Sequence, residues 1–213
     1  KLSFNAYSSC QEKYIILDSG GALGDKCGPL LIKKPTTILD NNSLIAIPGK
    51  LTTANLLFKM AYPEMNNIKE ILFSDIEHSV LSNNVQAGLI IHENRFTYHA
   101  KGLVKELDLG EFWARQTSLP LPLGGIMASR SLDKSVQEKV NLLINLSIKY
   151  AFENPTSSIN YTKLHCQEMD DVVIASHINL YVNKYSLSFG EEGKKAIKAL
   201  LSYSDEQSSN IFL

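Results

Sequence analysis

Through the first two thirds of the chain, short apolar runs alternate with stretches whose apolar positions recur every three or four residues. The short runs are rich in Ile, Leu and Val and end in turn residues. They predict strands at 14–17, 29–33, 44–47, 70–73, 87–91, 104–108 and 125–128. The stretches between them predict helices over 4–12, 53–61, 76–83 and 109–117. Such alternation predicts an α/β protein with a largely parallel sheet and helices on its faces. From Asp133 the pattern changes. Residues 133–153 line up Val136, Val140, Leu143 and Leu146 or Ser147; residues 170–185 line up Ile174, Ile178, Tyr181 and Tyr185; residues 191–203 group Ile197, Leu200 and Leu201. These read as three amphipathic helices whose apolar stripes belong to the core. The run Leu119-Pro120-Leu121-Pro122-Leu123-Gly124-Gly125 alternates proline with leucine, which suits neither a helix nor a central strand. It predicts a stiff extended strap between two lobes. A second crossover is expected after Gly28-Pro29-Leu30-Leu31-Ile32.

Composition narrows the function classes. The 213 residues are 44% hydrophobic and 20% charged, ordinary for a globular protein. With 21 basic and 22 acidic residues and no basic block, nucleic acid is not an expected partner. No apolar run approaches the length of a membrane span. Cys10, Cys27 and Cys166 are odd in number and far apart, so they form neither a disulfide framework nor a metal-ligand set. A reducing cytoplasm fits them, each as a small core residue. There is no HExxH, CxxC, EF-hand or GxSxG pattern, and no bound metal is expected.

Three segments could hold a ligand. The apolar run Ala87–Ile91 stops abruptly at His92, and Glu93-Asn94-Arg95-Phe96-Thr97-Tyr98 follows. The carboxyl end of a strand is where an α/β domain meets its ligand, and a histidine there can exchange protons near neutral pH. The alternative is a strand-end histidine that only bonds a loop. Ile47-Pro48-Gly49-Lys50-Leu51-Thr52-Thr53-Ala54 reads as strand, turn and helix start, whose free N–H groups and hydroxyls suit an anionic or hydroxylated group. Thr52 reads as the N-cap, a role compatible with a ligand nearby. Ser19-Gly20-Gly21-Ala22-Leu23-Gly24 could bring backbone close to a ligand, although a plain turn explains it equally simply. Arg95 could hold a carboxylate or pair with Glu93, the pair being the expected arrangement.

The ordered set Lys1-Leu2-Ser3-Phe4-Asn5-Ala6-Tyr7, Ser19–Gly24, Gly28-Pro29-Leu30, Pro48–Ala54, Gly88–Tyr98, Leu119–Gly124 and Tyr181-Val182-Asn183 with Gly190-Glu191-Glu192-Gly193 resembles the 1,4-dihydroxy-6-naphthoate synthase family of the futalosine route to menaquinone. The resemblance covers essentially the whole chain. It implies a two-lobed fold of the periplasmic-binding-protein type (type II), with mixed sheets, a carboxyl-terminal helical segment and the active site in the interlobe cleft. Lobe I would comprise 1–32 plus 123–213, and lobe II 33–122. It implies cleavage of cyclic dehypoxanthinyl futalosine to 1,4-dihydroxy-6-naphthoate and dihydroxyacetone without a cofactor. His92 would be the general base, and Lys1, Leu2, Ser3, Thr53 and Ala54 would contact the substrate, with Ser19 and Gly20 lining the cleft. A small-molecule substrate is then the expected partner, and apolar helix faces near the carboxyl end leave room for a homodimer. Against the family pattern, the strand and helix bearing an SPCPND-like motif are missing before Lys1, and Asn94 stands where serine is usual. The rival readings are the sister chorismate dehydratase, against which the GLIIHE run and the LPLPLG strap argue, and a solute-binding protein of similar fold.

Overall fold

The computed structural model describes residues 1–91, 94–165, 170–203 and 210–213. Along the chain run β1 (Leu2–Ser3), α1 (Phe4–Ser8), β2 (Tyr14–Ile16), β3 (Ala22–Gly24), β4 (Leu30–Lys33), β5 (Ile45–Ile47), α2 (Thr53–Ala61), β6 (Ile68–Glu70), α3 (Ile76–Leu81), β7 (Ala87–Ile90) and α4 (Asn94–Thr97). There follow β8 (Val104–Asp108), α5 (Leu109–Thr117), β9 (Leu121–Gly125), β10 (Met127–Ser129), α6 (Lys134–Glu153), α7 (Ile159–His165), α8 (Asp171–Tyr181), α9 (Lys184–Leu187) and α10 (Gly190–Leu201). The chain divides into two compact units, Lys1–Gly24 with Pro122–Leu213, and Asp25–Leu121. The boundary expected after Ile32 falls inside β4, which the ladders to β7 and β8 tie to the second unit.

The second unit is built on the sheet β6-β5-β7-β4-β8. It is mixed rather than largely parallel. β5 runs parallel to both β6 and β7, whereas β4 is antiparallel to β7 and β8. Every residue of β5 and β7 is buried, which is why these strands read as unbroken apolar runs. One face carries Leu30, Ile32, Ala46 and Ile90, covered by Ile76 and Val80 of α3 with Val85, Tyr98 and Leu103. Alternation turns Leu31, Ile45, Ile47 and Leu89 the other way. α2 and α5 pack on each other, with Leu57, Phe58 and Trp113 fully buried. The Trp113 indole N–H donates to Pro120 O at 3.0 Å, so its polar edge is satisfied inside.

In the first unit β9 is the middle strand of β1-β9-β3, and β10 pairs with β2. The proline-leucine strap is therefore a central strand in part. Pro122 stands outside the β1 ladder, which engages Gly124 and Gly125. The expected strand at 125–128 is two strands that break at Ile126. The core is Phe4, Tyr7, Ile16, Leu17, Leu23, Phe189, Ile197 and Leu200, all fully buried or nearly so. The stripe expected to bury α6 does not. Val136 and Val140 are exposed, as are Leu143 and Leu146 at 60% and 50%. The helix instead turns Gln137, Asn141, Ile144 and Asn145 inward. The Gln137 amide donates to Ser129 O and Leu132 O, while Asn141 and Asn145 bond residues of the 19–24 turn and α9. Hydrogen bonding thus sets its rotation a position away from the apolar stripe. The helix expected over 170–185 stops at Tyr181. Asn183 and Ser186 then form a reciprocal capping box that starts α9. Among the described residues, no helix is long and apolar enough to cross a membrane.

Candidate active site

The parallel strands fix where the second unit's candidate residues emerge. β5, β6 and β7 point the same way, so all three end at one edge of the sheet, and each is followed by a helix start. β5 leads to α2, β6 to α3, and β7 through residues 91–93 to α4. Ile45 faces Ala87 and Ala46 faces Gly88, so the exits toward Thr53 and His92 come from adjacent strands, about 4.8 Å apart. His92 and Glu93 themselves lie outside the described residues.

The first exit is a capped helix start. Thr52 Oγ1 accepts from Asn55 N–H at 3.2 Å and donates to Gly49 O at 2.7 Å. The cap thus uses the N–H of Asn55 and leaves that of Ala54 unspoken for. Thr53 and Ala54 are buried, at 3% and 2% exposed. Asn55 is equally buried, and its side-chain amide donates to Lys50 O at 2.9 Å. Its Oδ1 has no hydrogen-bond partner.

The second exit carries Glu77 in the first turn of α3. Its Oε2 accepts from Lys101 Nζ at 2.7 Å and from the Asn94 side-chain amide, and its Oε1 is buried without a partner. Among the described residues, Asn55 and Glu77 are the sites of buried side-chain atoms left unpaired. Each such atom costs about 1–3 kcal/mol, so a pair of them on helix starts at one sheet edge marks a place not optimised for stability alone.

The third exit is held by Arg95. Its guanidinium donates to Asp108 Oδ2 and to Gly28 O, both at 2.6 Å. Asp108 is fully buried, and its other oxygen caps α5 through the N–H groups of Gly110 and Glu111. The ion pair expected between Arg95 and Glu93 thus has a described counterpart in Asp108, 13 residues on. Burial pushes the nearby Cys27 thiol up, with Arg95 pulling the other way. A thiol so placed is a poor nucleophile near neutrality.

In the first unit, Lys1 is exposed, and Leu2 and Ser3 form β1. Ser3 Oγ accepts from Ala6 N–H at 3.0 Å and so caps α1. Ser19 is 1% exposed; its hydroxyl donates to Leu187 O at 2.8 Å and accepts from Asn145 at 3.3 Å. Gly20 has φ +84°, and a Cβ there would lie 2.4 Å from Ile126 Cδ1. Packing and internal hydrogen bonds thus engage both residues of this turn. Among the described residues, no three His, Cys, Asp or Glu side chains cluster as a metal site.

Sequence reasoning passed over Asn55, Asp108 and Glu77. The signal for Glu77 was present: Phe73, Val80 and Leu81 flank it at helical spacing, so a carboxylate interrupts an apolar stripe.

A family model described as menaquinone biosynthesis matches residues 1–206. The chain belongs to the menaquinone-biosynthesis family. It is 40% identical over 200 residues to a Thermus thermophilus protein named 1,4-dihydroxy-6-naphtoate synthase, covering 94% of this chain and 73% of that one. A Streptomyces coelicolor protein of the same name is 38% identical over 206 residues, with the same coverage of each chain. Both relatives are thus named as enzymes. A crystal structure of an Archaeoglobus fulgidus protein superposes with TM-score 0.88 at 36% identity, covering 95% of this chain and 76% of that one. The ligand-binding component of an ABC-type import system from Staphylococcus aureus superposes with TM-score 0.66 at 12% identity, over 100% of this chain and 76% of that one. A Candida albicans protein described as having the generic periplasmic binding protein fold gives 0.59 at 10%, over 98% and 74%. At such identities the last two speak to fold alone. The family's fold here is α/β, of the periplasmic-binding-protein type.

Proposed function

We propose that this member of the menaquinone-biosynthesis family is a carbon–carbon lyase. It would convert cyclic dehypoxanthinyl futalosine to 1,4-dihydroxy-6-naphthoate and dihydroxyacetone, in the cytoplasm and without a cofactor. The observation that carries the reading is the shared edge of β5, β6 and β7. Two of its helix starts keep a buried acceptor unpaired, and the third exit leads to a histidine. The two relatives named for the naphthoate product support it at the level of the reaction.

In this reading neutral His92 takes a proton from the cyclic substrate. The electron pair left behind drives cleavage of the neighbouring carbon–carbon bond. The three-carbon fragment departs, and aromatisation of the remaining rings supplies the driving force. The protein then has to do little beyond positioning and one proton transfer. The start of α2, with Thr53 and Ala54, would bind the substrate's carboxylate or hydroxyls. The proposal keeps Lys1, Leu2 and Ser3 as further contacts. Ser19 is left out, because its hydroxyl is already engaged.

The test is to incubate the protein separately with the cyclic futalosine compound and with chorismate, following products by chromatography. Naphthoate from the first and unchanged chorismate from the second are expected. Dehydration of chorismate, or recovery of both compounds unchanged, overturns the reading.

A further inference from the structure

α6 is bonded to its own unit through its polar side and leaves its apolar side in water. Gln137, Asn141 and Asn145 point inward and hydrogen-bond the body of the first unit. On the opposite side Leu142, Leu143, Leu146 and Tyr150 are each at least half exposed. They follow one another by one, three and four residues, so they share one helix face. Scattered surface leucines need no account, but an unbroken patch on the outermost line of a helix marks an interaction surface. The two ends of the patch carry opposite charges. Lys139 and Glu153 are exposed on the same line, each seven residues from Leu146, or about 10 Å along the axis. Among the described residues neither of them pairs with an opposite charge. The steps along Lys139, Leu142, Leu146, Tyr150 and Glu153 are three, four, four and three residues. The spacing therefore reads the same from either end, while the charge does not.

We propose that α6 is the docking surface for a second copy of this chain, laid antiparallel across a two-fold axis at Leu146. That arrangement sets Leu146 against the partner's Leu146, Leu142 against the partner's Tyr150, and Lys139 against the partner's Glu153. The far end of the helix supplies the same contacts again, as two-fold symmetry requires. Parallel pairing would instead set Lys139 beside the partner's Lys139 and Glu153 beside the partner's Glu153, and like charges reject it. The charged heads stay at the rim, where such pairs fix orientation more than strength. One helix face is smaller than the roughly 800 Å² that each partner of a stable complex buries, so association is expected at micromolar rather than nanomolar concentration. The pairing is independent of the reaction proposed for the second unit.

The experiment is sedimentation velocity on the whole chain at concentrations spanning the micromolar range. The mean mass should rise toward twice the monomer's. Leu146→Glu sets two carboxylates together on the axis and should weaken association by about tenfold or more. Lys139→Glu and Glu153→Lys should each weaken it by about threefold or more, and the two swaps combined in one chain should restore it. All three positions are exposed, so the circular dichroism of every variant should match the parent's. A parent that stays monomeric throughout, association untouched by Leu146→Glu, or a double swap that fails to recover overturns the proposal. So does a monomeric chain that sediments with phosphatidylcholine–phosphatidylglycerol vesicles, which gives the patch to a membrane surface instead.

Discussion

Two turns that look alike in sequence, both short, glycine-bearing and hydroxyl-bearing, are used differently by the two units. In the first unit the hydroxyl of Ser19 is bonded twice, and its backbone N–H donates to Asn141 Oδ1 at 2.9 Å. Its glycines are filled around: a Cβ on Gly21 would lie 2.2 Å from the Phe189 ring. In the second unit Thr52 caps the Asn55 N–H and leaves the one before it, and Asn55 and Glu77 bury oxygens with nothing to accept from. The contrast teaches that residue type does not mark a binding turn. What marks it is hydrogen-bonding capacity that the fold does not consume. Proteins tolerate such deficits at functional sites and seldom elsewhere.

The sharpest way to break the comparison is His92→Ala. If the second unit's sheet edge is the reaction site, turnover should fall by about 10²–10⁴, with an unchanged circular dichroism spectrum. Undiminished turnover ends the argument. Next in size is Gly110→Ala. The added Cβ would lie 2.2 Å from the Cys27 carbonyl carbon, and backbone cannot step aside as a flexible side chain can. A stability loss of about 3 kcal/mol is expected in denaturant titrations. Ser19→Ala sharpens the contrast from the other unit. It should cost about 1 kcal/mol, since Asn145 still donates to Leu187 O, and leave KM unchanged. A raised KM with normal stability would give that turn a ligand after all.

The smallest effect is electrostatic. The Tyr185 hydroxyl, and after it Lys184, holds the Glu192 carboxyl below its ordinary range. A folded value below the unfolded one contributes stability above the ordinary glutamate range, and that contribution is lost as pH falls through the folded value. Melting temperatures measured from neutral to acidic pH should fall slightly less steeply for Glu192→Gln than for the parent. Glu192 is largely exposed, so the difference will be small.

Much of the second unit was legible from pattern. β4, β5 and β7 are apolar because they are buried in a sheet, and α2 and α5 have the bounds their periodicity predicts. The orientation of β4 was not legible, since burial fixes which residues face inward but not which way a strand runs. α6 was misread for a different reason. Three of its inward residues, Gln137, Asn141 and Asn145, are amides, so hydrogen bonding outweighed the apolar stripe that periodicity picks out. β9 was misread because a proline rule applies to a hydrogen-bonding position, and Pro122 stands outside the β1 ladder. At the site, the strand-end exit and the helix start could be read from sequence. The partners that complete it, Asp108 for Arg95 and Glu77 for Asn94, lie 13 and 17 positions away, and only the fold joins them.

Gly88 decides how closely α3 can seat on the sheet. By offering α3 no side chain to climb over, it sets the height at which Glu77 reaches across to Asn94. A methyl group there would lift the helix and, with it, the buried carboxylate that Asn94 and Lys101 share.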